Sequence, residues 1–121
     1  MTQSPFHDEV YEFGSFRLST LSWSLEYKGT VIHLPKLEFI LLLTFLRHPN
    51  GYITTSSLVP DVWPDAQRVS QRALQEHVYR LNQALGIGSR GKRFIQFTRG
   101  QGYRLFCDVR RREGRTTFQG L

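Results

Sequence analysis

Cysteine is almost missing from this 121-residue chain, which has only Cys107. One thiol excludes an internal disulfide framework, and without a His/Cys cluster beside it a structural zinc site is excluded too, so the fold must rest on packing. A reducing compartment fits that usage. His7, His33, His48 and His77 lie in separate segments with no i, i+4 pair, so neither a metal nor another cofactor is expected. No Ser/His/Asp order, paired carboxylates or phosphate-cradling glycine loop stands in a credible setting. Gly86-Ile87-Gly88 runs into a basic loop instead of a helix, which excludes the dinucleotide fingerprint. No enzymatic activity and no small-molecule substrate are therefore expected. Long apolar runs are missing as well: the longest, around Ile40 to Phe45, falls far short of the about 18 residues a membrane span needs. Met1 to Glu9 has neither the basic nor the apolar region of a secretory signal, and a soluble, cytoplasmic chain is the expectation.

Acidic residues are scarce in one half. Residues 1–60 hold four Lys/Arg against five Asp/Glu, whereas residues 61–121 hold twelve against five, so the whole formal excess of +6 lies in the second half. Clustered cations displace condensed counterions from a phosphate backbone, which makes a polyanion the natural partner, although a solvated basic face would give the same count. With 40% apolar residues the chain can build one domain with one core.

From Val10 to Leu34 apolar residues alternate and are broken at Gly14 and Gly29, predicting short antiparallel strands with a hairpin turn at Lys28-Gly29. Trp23 and Trp63, each with apolar neighbours, are expected as core anchors. Pro35 suits the first turn of a helix, and Leu37 to Leu46 make that helix apolar on almost every side until His48-Pro49-Asn50-Gly51. Thr54 to Ser57 offer caps for a shorter helix containing Pro60. A third helical period runs from Val69 to Leu85. After a basic loop, Phe94 to Thr98 and Tyr103 to Phe106 read as two strands joined by Arg99-Gly100-Gln101-Gly102, where the glycines let the backbone turn tightly and approach a duplex. Residues 1–9 read as a flexible arm, 10–108 as the domain, and 109–121 as a basic tail or linker.

At about 100° per residue, Leu74, Val78, Leu81 and Leu85 share a narrow arc that must face the core. Arg72, Glu76, Tyr79, Arg80 and Gln83 fall on the opposite side, with groups that match base edges: Arg for guanine, Glu for a cytosine amino group, Gln for adenine. His77 flanks the core arc, fitting either a phosphate hydrogen bond or a half-buried packing role. A helix sized for the major groove, followed by a basic hairpin able to reach the neighbouring groove, is a docking arrangement.

Leu34-Pro35-Lys36-Leu37-Glu38-Phe39 with the leucine-rich helix after it resembles the signature that opens the helical part of the OmpR/PhoB family. Arg72 to Leu81 resembles that family's recognition helix, and Thr98-Arg99-Gly100-Gln101-Gly102-Tyr103-Arg104-Leu105 its wing. The resemblance implies an α+β winged helix-turn-helix: a four-stranded N-terminal antiparallel sheet, a three-helix core and a C-terminal β-hairpin. It implies contacts to double-stranded promoter DNA from Arg72, Glu76, Tyr79, Arg80 and Arg99; Arg68, Ala73, His77, Gln83, Arg93 and Thr98 complete the expected DNA-binding set. It also implies RNA polymerase contacts near Asp61, Asp65 and Gln67, an ordinary polar turn being the other reading. The chain departs from the family at Tyr79, where a basic residue is common, at Glu76, often apolar, and at Asn82-Gln83, where Arg-Lys is common.

The rival readings are a winged helix that binds only protein, which the outward arginines oppose, and a basic helix on an anionic membrane, which would need more exposed apolar side chains than Tyr79. The order of parts, winged helix first and basic segment after, is similar to ToxR/CadC-type regulators and raises the expectation of a C-terminal tether to the inner membrane. Dimerisation on DNA is expected, since one small domain offers a small interface.

Overall fold

The computed structural model describes residues 9–49, 51–62, 70–88 and 93–113. They form two compact units, one from the two chain ends and one from residues 34–108.

The first unit is an antiparallel sheet. Strands β1 (Glu9–Phe13), β2 (Phe16–Ser19), β3 (Ser24–Tyr27) and β4 (Thr30–Ile32) follow the alternation read from the sequence. Lys28 (φ 50°) and Gly29 (φ 85°) are both left-handed, as a two-residue turn matching the strand twist requires. Register puts Tyr11 opposite Leu18, Leu18 opposite Leu25, and Phe13 opposite Phe16, so these buried side chains share one face. Phe13 and Phe16 stack at 5.1 Å.

Two expectations fail here. Residues 109–113, read as the start of a basic tail, are strand β7 (Val109–Glu113), which pairs antiparallel along the whole of β1 and makes the sheet five-stranded in the order β4-β3-β2-β1-β7. No alternation of apolar residues announces it: Arg110, Arg111 and Arg112 are exposed, and the strand is held by its main-chain ladder to β1 with ion pairs beside it. Glu12 accepts from Arg112 Nη1 at 3.2 Å and lies 3.4 Å from Arg110 Nη2, while Arg111 Nη2 is 3.7 Å from Glu9. Across the sheet Arg110, Glu12, Arg17 and Glu26 stand in one row of alternating sign, each cross-strand pair worth about 0.2–1 kcal/mol. Trp23, expected in the core, is 48% exposed with φ 53°, because β2 ends at Ser19 and Trp23 belongs to the loop before β3. Trp63 lies outside the described residues.

The second unit carries helices α1 (Lys36–Leu46), α2 (Thr55–Val62) and α3 (Gln71–Ala84), a short 3-10 turn (Leu85–Gly88), and the hairpin β5 (Ile95–Thr98) and β6 (Gly102–Leu105). Pro35, expected in the first turn, instead stands at the position just before α1 with extended backbone, and Phe39, Leu41, Leu42, Leu43, Phe45 and Leu46 of the helix are all buried. Thr54 Oγ1 accepts from the Ser57 N–H at 3.2 Å and starts α2, which accommodates Pro60. Ser70 caps α3 by accepting from the Ala73 N–H at 3.1 Å. Leu74, Leu81 and Leu85 are fully buried and Val78 nearly so, which confirms the helical phase. α1 packs against α2, α3 and β6, so the central helix supports both outer helices and the hairpin.

Candidate nucleic-acid interface

With one face of α3 committed to the core, helical geometry leaves the opposite face outward. Arg72, Glu76, Tyr79, Arg80 and Gln83 are all exposed, Tyr79 at 61%. The side chains of Arg72 and Arg80 make no ion pair among the described residues, and neither do those of Arg93 and Arg99. That separates them from Arg110, Arg111 and Arg112, whose charge the sheet carboxylates already offset. Among the described residues, the arginines of the second half thus include some paired with sheet carboxylates and some, on α3 and the wing, that make no ion pair.

Two neutral residues on the helix are preorganised. Gln83 Nε2 donates to the Tyr79 hydroxyl at 2.7 Å, so that hydroxyl accepts within the protein and keeps its own proton to donate outward.

His77 is anchored inward. Its Nδ1 lies 2.7 Å from Oε2 of Glu38, a residue only 2% exposed in the first turn of α1. The carboxylate accepts, so Nδ1 carries the proton, and the ring is held in the packing role that was one of its two expected uses. Glu38 was a missed contributor. An acidic residue inside a run of buried leucines was the available signal, since a buried charge needs a partner. Ala73 sits half-buried in the first turn of α3, where its N–H serves the Ser70 cap.

The wing puts Arg99 and Gly100 (φ 81°) in the exposed turn between β5 and β6. Thr98, half-buried, donates its hydroxyl to Tyr52 at 3.4 Å, and Arg93 is exposed ahead of β5. Gly102 corrects a further expectation. Its backbone was read as free to approach a duplex, but a Cβ there would meet the Ile53 carbonyl oxygen at 2.3 Å. The close approach is to the segment before α2, where Tyr103 N–H donates to Ile53 C=O at 2.9 Å and Ile53 N–H to Tyr103 C=O at 2.8 Å. An open groove between α3 and the hairpin is lined by Tyr79, Gln83, Arg93 and Phe97, with buried Val78 and Tyr103 beneath. Burial raises the Tyr103 phenol above its ordinary pKa.

Arg68, Asp65 and Gln67 lie outside the described residues, and of Asp61 only the main chain, within α2, is described. Among the described residues no group of His, Cys, Asp or Glu could hold a metal, and no helix is long and apolar enough to cross a membrane.

A sheet leading into a three-helix bundle, with an outward polar third helix and a hairpin after it, defines the winged helix-turn-helix class. Residues 29–105 match the family described as "Transcriptional regulatory protein, C terminal". The chain belongs to this family, the OmpR/PhoB-type winged-helix DNA-binding domains of transcriptional regulators. It is a family of DNA-binding domains, not of enzymes. The phosphate regulon transcriptional regulatory protein PhoB of Escherichia coli is 31% identical over 98 residues, which cover 81% of this chain and 42% of PhoB. The chain thus spans less than half the length of such relatives. The DNA-binding domain of Escherichia coli CadC superposes with a TM-score of 0.73 at 18% identity, covering 85% of this chain and 96% of that domain. The Klebsiella pneumoniae RstA DNA-binding domain, solved in complex with the RstA box, gives 0.68 at 18% identity, covering 79% and 95%. At these identities the two structures show the shared fold.

Proposed function

We infer that the chain binds double-stranded promoter DNA sequence-specifically as part of a bacterial transcription regulator, with α3 in the major groove and Arg99 of the wing in the adjacent minor groove. The observation that carries this reading is the outward face of α3, where Arg72 and Arg80 stand exposed and unpaired among the described residues beside Glu76, Tyr79 and Gln83. The similarity to the RstA domain, solved on its DNA box, supports it. A winged helix that binds only protein would need partner carboxylates to offset the desolvation of these arginines, whereas a phosphate backbone supplies the matching charge along its whole length.

Arg72 and Arg80 are suited to guanine O6 and N7, and the Tyr79 hydroxyl, donating outward, to a base acceptor. Thr98 and Arg93, together with Arg68, are the proposed phosphate contacts and Ala73 an apolar contact, whereas His77, tied to Glu38, supports the helix from within. Asp61, Asp65 and Gln67 are the residues proposed to contact RNA polymerase. Dimerisation places two copies on half-sites about one helical turn apart.

If Arg68, Arg72, Arg80, Lys92, Arg93 and Arg99 supply about four to six phosphate or groove contacts, log affinity falls against log salt with a slope of about −4 to −5. Titrating duplex DNA at several salt concentrations checks this, and a slope near zero would exclude DNA as the ligand. At the wing, Arg99 is drawn by the enhanced negative potential of narrow A·T-rich minor grooves. Arg99→Ala should therefore weaken binding by about tenfold on A·T-flanked sites and much less on G·C-flanked ones, with melting temperature almost unchanged. Equal losses on both flanks would reduce Arg99 to a generic phosphate contact.

A further inference from the structure

The wing has two outward edges, and they are held by different means. On β6, Tyr103 pairs its N–H and C=O with the main chain of Ile53. The hairpin is a two-stranded sheet, and among the described residues no third strand lies along β5. Phe106 N–H donates to Phe94 C=O at 2.7 Å, and the alternation of an antiparallel ladder then turns the N–H and C=O of Ile95 away from β6. Both groups are met by one side chain from the recognition helix. Asn82 Nδ2 donates to Ile95 C=O at 2.9 Å, and Ile95 N–H donates to Asn82 Oδ1 at 3.0 Å. The amide sits where the peptide group of a neighbouring strand would sit. Ile95 is 1% exposed, so its main-chain groups have little access to water as a substitute partner. An arginine or lysine has no acceptor and an aspartate no donor, so neither could satisfy both bonds.

We propose that Asn82 is the positioning residue that fixes the wing against the recognition helix and thereby sets which flanking sequence the domain accepts. The proposal rests on the DNA-docking reading above. Asn82 shares its helix with Arg72 and Arg80, so the brace ties the minor-groove contact to the element carrying the major-groove contacts. Arg99 stands four residues beyond Ile95, about 13 Å at ~3.3 Å per residue, so a swing of roughly 10° at this joint moves the tip by about 2 Å. Such a shift is enough to take a guanidinium out of hydrogen-bonding range of a groove edge.

Two measurements test this. In the free domain, amide exchange of Ile95 should speed up by at least about tenfold in Asn82→Ala. Asn82→Asp, isosteric and still able to accept from the Ile95 N–H, should retain most of the protection and guards against a variant that fails to fold. On A·T-flanked DNA, Arg99→Ala should cost about tenfold in the wild-type background but less than about threefold alongside Asn82→Ala, while the cost of Arg80→Ala stays the same in both. Unchanged Ile95 exchange in Asn82→Ala would overturn the brace and leave the DNA reading standing. An Arg99→Ala penalty equal in both backgrounds would show that the brace does not position the wing. No Arg99→Ala penalty in the wild type would overturn the wing reading and the positioning role together, with Ile95 exchange still reporting whether the brace exists.

Discussion

Gly102→Ala should destabilise the domain by about 3 to 5 kcal/mol, far more than the same change at Gly100. Both glycines have positive φ, +112° and +81°, so both substitutions strain the backbone. The difference lies in what the new methyl meets. At Gly100 nothing stands within 4 Å, whereas at Gly102 the Cβ would lie 2.3 Å from Ile53 O, 2.8 Å from Ile53 C and 2.9 Å from Thr54 Cα. All three are main-chain atoms, which cannot rotate aside as a side chain would. The Ile53 segment must retreat, and the two hydrogen bonds joining it to Tyr103 are lost with it. Gly100→Ala should cost only about 1 kcal/mol from the backbone strain. Urea unfolding of the two variants measures the gap. Equal midpoints would show that the wing is not seated against the segment before α2.

Adjacent residues on α3 should separate folding from binding. Leu81 is fully buried, and Leu81→Ala should cost about 2 to 5 kcal/mol of stability, a transfer term plus the cavity left behind. Arg80 is exposed, so Arg80→Ala should move stability by no more than about 0.5 kcal/mol. In specific binding Arg80→Ala should lose about 1 to 3 kcal/mol, because a bidentate contact to a base edge disappears. Thermal unfolding paired with titration of specific and scrambled duplexes reads both quantities. An Arg80→Ala variant that unfolds while Leu81→Ala does not would reverse the two faces of the helix.

The faces of α3 were legible because burial there follows a 3.6-residue period, and Leu74, Val78, Leu81 and Leu85 supply it without interruption. The Lys28-Gly29 turn, the cap at Thr54 and the wing tip at Arg99 were legible for a similar reason: each is a local conformational preference carried by a few neighbouring residues. The site was readable as a set of residue types on one arc. Which arginines are free was not readable, because that depends on carboxylates distant in the chain. Arg110 and Arg112 look like any basic tail until Glu12, about a hundred residues earlier, is placed beside them.

By itself, then, the sequence determined the α+β class, the three helices with their buried and outward faces, and the hairpin. These follow from short-range periodicity and residue chemistry, which are complete within a dozen neighbouring positions. Only the tertiary structure decided that residues 109–113 close the sheet as β7, that His77 turns inward to Glu38, that Gly102 makes room for Ile53, and that Asn82 completes the edge of β5. Each of these joins groups ten to a hundred residues apart, and hydrogen-bonding or steric complementarity between such partners leaves no periodic trace along the chain.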